Sequence, residues 1–384
     1  MTRVAVRPEM LNWAVERARM TPDDLQARFA KFPDWLEGEV QPTLKQLENF
    51  AKAVHVPIGY MFLPEPPDEP LPIPDFRTVD GRQLAKPSPN LLEMIYACQE
   101  RRSWYADFAR LYQDPELEFV GSATLDTPPE NVAWRIRTAL GFSVEERRDC
   151  GTWTDALRLF IRHADQAGIL VMISGVVFSN NNRPLDTEEF RGFALVDRRA
   201  PLVFINGSDS KAAQMFTLAH ELAHIWLGAS AISNASAAPL TGYRREEVWC
   251  NKVAAELLAP LASVRAEIRD GEVLEQTLSR LARHFKVSTL VILRRLLDAG
   301  ALDRPAFNAA WRAEVERLQE INQRSSGGGD FYRTTLSRVS HRFARALVVS
   351  TLEGQTLYRD DFRMLGVRKT ETFNNLGREV GVML

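Results

Sequence analysis

The run His220-Glu221-Leu222-Ala223-His224 sets two imidazoles four positions apart, with a carboxylate next to the first. Its flanks, Met215 to Ala219 and Ile225 to Leu227, favour a helix, and on a helix residues i and i+4 share a face. Two imidazoles so placed can hold one metal ion at about 2.0 Å, and zinc suits nitrogen donors in a four-coordinate site. Glu221 would then stand beside water whose pKa zinc lowers to about 7. A carboxylate there can take the proton and later pass it to a leaving amine. The chain has six histidines, and a helical context around this pair makes accidental spacing the weaker explanation.

A catalytic zinc wants a third protein ligand and an open position. Residues 246 to 258 form a second helical stretch in which Glu247 and Asn251 are again i and i+4. Glu247 can be the third ligand, while the Asn251 oxygen accepts the second N–H of a ligand histidine and fixes its tautomer. Glu246 and Glu256 are the rivals, but they lie about 100° and about 180° around the helix from Glu247, so only one of the three should face the metal. Glu246 reads as a solvated carboxylate in a first turn, where the helix dipole favours it. Cys250 reads as a small core residue rather than a thiolate ligand. Tyr243, with Arg244 and Arg245, precedes this helix and is a candidate stabiliser of an oxyanion, although a plain surface role suits such loop residues better. His55, His163, His284 and His341 have no neighbours in sequence that would make them ligands.

The elements that must position these groups are an α+β set, mainly helical. Short β-branched and aromatic runs at Ile169 to Val177, Gly192 to Asp197 and Leu202 to Asn206 are divided by turn residues and predict a small, mostly antiparallel sheet. The helix Ser210 to Leu227 should end at Gly228, and the next at Pro260. Gly192, Phe193 and Ala194 are the expected free edge of the sheet, to which an extended substrate peptide could add.

Residues 7 to 63 predict four or five short helices, with start signals at Thr21-Pro22 and at Thr43, and a third helix from Phe32 to Glu39. Eight prolines between Pro64 and Pro89 predict an extended connector. Leu274 to Leu297 predicts two helices about a turn at Val287-Ser288, and Ser325-Ser326-Gly327-Gly328-Gly329 separates a last helical segment. The expected domains are therefore 1–64, a linker at 65–90, a metal-binding domain at 91–265, a helical region at 266–324 and a C-terminal segment at 325–384.

Composition narrows the setting. A chain of 384 residues exceeds the size of most single cores. A formal charge of -2 leaves no general attraction to nucleic acid or anionic membrane. Three widely spaced cysteines make no disulfide framework, and neither a signal segment nor a membrane span is visible, so the cytoplasm is the expected compartment.

The residues quoted so far, together with Glu189-Phe190-Arg191-Gly192-Phe193-Ala194, Val203-Phe204-Ile205-Asn206 and the Asn251 to Pro260 ending, resemble the ImmA/IrrE family of zinc metallopeptidases over about residues 150 to 265. The resemblance implies a gluzincin-like endopeptidase with His220, His224 and Glu247 on zinc and Glu221 as base. An aspartate often stands four residues after the third ligand in the wider thermolysin-like pattern; here it is Asn251. Residues 7 to 63 resemble Cro/CI-type helix-turn-helix domains, notably at Gln41 to Leu47 and Ala51 to Pro57, and Pro72-Ile73-Pro74-Asp75-Phe76-Arg77 also occurs in such fusions. The peptidase resemblance implies a protein substrate such as a DNA-binding repressor or a cognate antitoxin; the alternative is a non-catalytic transcriptional regulator, or the toxin component of a toxin-antitoxin pair, that uses the peptidase-like domain for sensing or partner binding. DNA binding by residues 1–64 is disfavoured, since their eight basic and eight acidic residues cancel and Asp34, Glu37 and Glu39 fall on the expected recognition helix.

Overall fold

The computed structural model describes residues 3–76, 86–233, 235, 244–322 and 331–382. Tyr243 and the Ser325 to Gly329 separator lie outside the described residues. The chain divides into two compact units, Met1–Pro72 with Leu84–Ile95 and Ile73–Gln83 with Tyr96–Leu384.

In the first unit, α1 (Pro8–Arg17), α2 (Pro22–Arg28), α3 (Phe32–Leu36) and α4 (Leu44–Ala53) precede a 3-10 turn at Ile58–Phe62. Thr21 and Thr43 each close a reciprocal capping box, with Asp24 and Gln46 respectively, so both helices start where expected. The core gathers Met10, Leu11, Leu25 and Leu47 around an aromatic group in which Phe32 stacks on Phe50 with ring centroids 5.4 Å apart. α3 is shorter than predicted. It stops at Leu36 because Gly38 takes a left-handed φ of 75°, which leaves Glu37 as the cap and Glu39 beyond the helix.

The second unit opens with α5 (Pro89–Leu111), whose first turns belong to the first unit, then α6 (Pro129–Leu140), α7 (Val144–Arg148) and α8 (Trp153–Gln166). A four-stranded sheet follows, β1 (Leu170–Ser174), β2 (Gly192–Leu195), β3 (Leu202–Asn206) and β4 (Ala231–Ser233), in the spatial order β1-β3-β2-β4. β2 runs antiparallel to both β3 and β4, whereas β1 pairs parallel with β3, from Leu170 against Leu202 to Ser174 against Asn206. The chain leaves β1, skips a position to form β2, and returns through the gap, so the first and third strands point the same way. Every residue of β2 and β3 is buried, as expected of strands covered on both faces.

One expectation is overturned. Gly192, Phe193 and Ala194 are not the free edge: they pair with Ile205, Phe204 and Val203 on one side and with Ser233, Ile232 and Ala231 on the other. The three-residue strand β4 returns along β2 and takes the edge position.

Between β3 and β4 lies α9 (Lys211–Leu227), and after β4 come α10 (Arg245–Leu258), α11 (Leu261–Ala266), α12 (Leu274–Phe285), α13 (Thr289–Asp298) and α14 (Arg304–Asn322). Lys286 in the left-handed region and Ser288 as N-cap make the turn expected at Val287-Ser288. α9 packs on β2 and β3 with α10 and α8 beside it. The last helices, α15 (Phe331–Val339), α16 (His341–Leu352), α17 (Tyr358–Leu365) and α18 (Thr370–Glu379), form a small bundle whose α15 packs on β1.

Candidate metal centre

α9 starts on Ser210, whose hydroxyl accepts from the Ala213 N–H, and ends at Gly228 in the left-handed region. Every residue from Gln214 to Trp226 is buried, so this helix is enclosed all round. Polar groups at its centre must find partners or lose the benefit of water. His220, Glu221 and His224 are all 0% exposed.

α10 lies against α9 and supplies those partners. Glu247 Oε1 is 3.1 Å from His224 Nε2, Glu247 Oε2 is 3.3 Å from His220 Nε2, and the two Nε2 atoms are 3.1 Å apart. One turn further along α10, Asn251 Oδ1 accepts from His220 Nδ1 at 2.9 Å. That bond puts a proton on His220 Nδ1 and makes Nε2, which points at a carboxylate and a second imidazole, the nitrogen available to a metal. Such a convergence calls for a positive centre. Tetrahedral zinc with bonds of about 2.0–2.1 Å sets its ligand atoms about 3.3 Å from one another, close to the separations found here.

The electrostatics agree with an ionised Glu247. Burial alone would raise its pKa, but the His220 and His224 imidazoles outweigh that and hold it at about 2. Burial lowers the basicity of His220, and the Glu247 and Glu221 carboxylates with the Asn251 contact more than restore it. Cys250 is the other candidate. Its sulfur lies within 4.8 Å of ligand atoms of both histidines, yet burial, then Glu247, Glu221 and Glu246, push its thiol well above the usual range. A neutral thiol is the poorer donor beside an anionic carboxylate at hydrogen-bond distance.

Glu221 occupies the next position on α9. Ser233 Oγ of β4 donates to its Oε1, and Oε2 has no partner among the described residues. Burial raises the Glu221 pKa, with His220 and His224 pulling the other way. Gly192 makes room for this packing: a Cβ there would meet Thr217 Cγ2 at 2.6 Å, Phe204 O at 2.9 Å and Glu221 Oε1 at 3.1 Å. The Arg-Gly-Phe-Ala run thus serves close approach of β2 to α9.

The structure therefore brings together His220, Glu221, His224, Glu247 and Asn251. It separates Glu256, which pairs with Arg295 and accepts from the Leu261 N–H at 3.2 Å. Arg245 is exposed and reaches Asp126 at 3.7 Å. His163 is spent on the Leu140 carbonyl at 2.8 Å and on Glu146 at 3.2 Å. Two contributors escaped sequence reasoning. Ser233 sits on a strand too short to signal itself, and Phe76 comes from the proline-rich stretch to place its ring centroid 5.9 Å from that of His224.

Residues 164–297 match the family model of the M78 peptidases, described as an IrrE N-terminal-like domain, and every residue of the cluster lies inside that match. The match supports a peptidase-type domain of the ImmA/IrrE kind. Residues 339–379 match a model described as a domain of unknown function (DUF8813). No curated protein and no solved structure matches the chain.

Proposed function

We propose that this chain is a zinc-dependent endopeptidase that cuts a regulatory protein, a DNA-binding repressor or a cognate antitoxin, in the cytoplasm. The observation that carries the reading is the meeting of His220 Nε2, His224 Nε2 and the Glu247 carboxylate within 3.3 Å of one another, beside a buried Glu221. Zinc held by those three side chains would polarise a peptide carbonyl and acidify water. Asn251 keeps His220 in the tautomer whose Nε2 is free to donate its lone pair. Ser233 holds Glu221 Oε1, which leaves Oε2 as the atom that takes a proton from the attacking water and passes it to the leaving nitrogen. The three free cysteines fit a reducing compartment.

We assign the first unit a partner-docking task in the style of a helix-turn-helix domain, without sequence-specific DNA binding. α3 is five residues long and buries Phe32 and Trp35, while exposed Glu37 and Glu39 follow it and would repel phosphate. The reading is tested by incubating wild type and Glu221→Gln with the regulator encoded beside the gene and following fragments by mass spectrometry. Fragments from wild type alone support it, and equal cleavage by both proteins removes Glu221 from the mechanism.

A further inference from the structure

β4 is the edge of the sheet, and its outer side is already occupied by this chain. Asp75 forms a parallel bridge with Ile232: the Phe76 N–H donates to the Ile232 carbonyl at 3.0 Å, and the Ile232 N–H donates to the Pro74 carbonyl at 3.0 Å. Both backbone groups of Ile232 are thereby spent. The next residue, Ser233, is the one that holds Glu221, so a strand laid on this edge runs past the proposed base.

The segment is fastened by side chains as well. Ile73 is 7% and Phe76 8% exposed. The Phe76 ring centroid lies 5.9 Å from that of His224, and the Arg244 guanidinium carbon stands 4.9 Å from the Phe76 centroid. Pro72 and Pro74 fix φ near −65° and keep the stretch extended, so little entropy is lost in seating it. Backbone pairing along an edge strand with a side chain in a flanking pocket is how sheets take up extended peptides.

We propose that the outer side of β4 is the peptide-binding edge of the site and that Ile73–Phe76 is its resident occupant, which a substrate strand must displace. The position held by Phe76, in contact with both His224 and Arg244, then selects an aromatic side chain in the incoming peptide. This deepens the peptidase reading by naming the substrate's binding edge, and it gives the chain a built-in restraint on its own activity.

The test uses full-length protein carrying Glu221→Gln, so that nothing is cut, and a fluorescein-labelled peptide with the sequence of residues 69–77. Anisotropy measures its affinity for that protein and for the same protein with Phe76→Ala, Ile73→Ala or Phe76→Tyr added. Hydrogen exchange reports the Ile232 amide. Freeing the edge should tighten binding by roughly ten- to hundredfold in Phe76→Ala and Ile73→Ala, because the competent fraction rises, and should speed exchange at Ile232. Phe76→Tyr should change both little, and a probe with alanine at the phenylalanine position should bind more weakly. Equal affinities across the variants would overturn the proposal, as would tighter binding with Ile232 exchange unchanged. Neither readout requires zinc or turnover, so failure of the peptidase reading and failure of the occupied edge are told apart.

Discussion

Two buried glutamates on α10, nine residues apart, meet opposite fates. Glu256 faces Arg295 and the Leu261 N–H, and Arg295 in turn donates to the Ala259 carbonyl at 2.8 Å. Charge meets charge and the donors are spent, as in an ion pair that locks one helix end to its neighbour. Glu247 faces two imidazoles whose Nε2 atoms also face each other, while its helix-mate Asn251 fixes the tautomer that leaves His220 Nε2 bare. Burial is similar at the two sites, 2% for Glu247 and 9% for Glu256. What separates them is whether the surrounding groups complete one another or leave a convergent set of lone pairs. A buried carboxylate of the second kind marks a place built to hold something.

The largest effect sharpens the functional side of that contrast. Glu221→Gln keeps the shape but removes the proposed base, so the proposed cleavage of a partner should fall by roughly 10² to 10⁴ while binding persists, measured by single-turnover proteolysis and by pull-down. The structural side predicts a different loss. Glu256→Ala removes the nearer of the two carboxylates that face buried Arg295, leaving Asp298 at 3.4 Å, and should cost roughly 3 kcal/mol in denaturant unfolding, with metal content unchanged. Equal stability in that variant would break the distinction.

A third buried carboxyl, Asp361, belongs to neither class. It is 0% exposed, and burial, opposed by the neighbouring Thr351 hydroxyl, raises its pKa to about 7. The unfolded value is about 3.9, so between those values the folded chain binds the extra proton. Its stabilising contribution is thus full below about pH 4 and is lost as pH rises through about 7. Asp361→Asn should stabilise the protein by on the order of 2–4 kcal/mol at pH 8 and by little near pH 4, read from melting curves at both. The smallest effect concerns a satisfied surface group: Thr43→Ala opens the capping box with Gln46 and should cost about 1 kcal/mol.

Much of the site's placement was legible along the chain because helical geometry is local. The rise of 3.6 residues per turn puts His220 with His224 and Glu247 with Asn251, and turns Glu256 away. The caps at Thr21, Thr43 and Ser210 follow from the same local rules. Sheet topology is not local. Nothing near Leu170 says that it pairs parallel with Leu202, and Ala231-Ile232-Ser233 is too short to announce a strand, so the sequence pattern points to β2 as the edge where the fold has β4. Phe76 pairs across more than 150 positions, from a stretch whose prolines argue only for extension. α3 ends at Leu36, short of the expected Glu39, with the left-handed Gly38 as the local stop signal.

Glu247, and not Cys250 or Glu256, is proposed to complete a zinc site with His220 and His224. Inductively coupled plasma mass spectrometry after zinc loading and dialysis tests it on wild type, His224→Ala, Glu247→Ala, Cys250→Ser and Glu256→Ala. Wild type, Cys250→Ser and Glu256→Ala should each hold about one zinc per chain, and His224→Ala and Glu247→Ala should lose it. Full zinc in Glu247→Ala, or none in wild type, would contradict it.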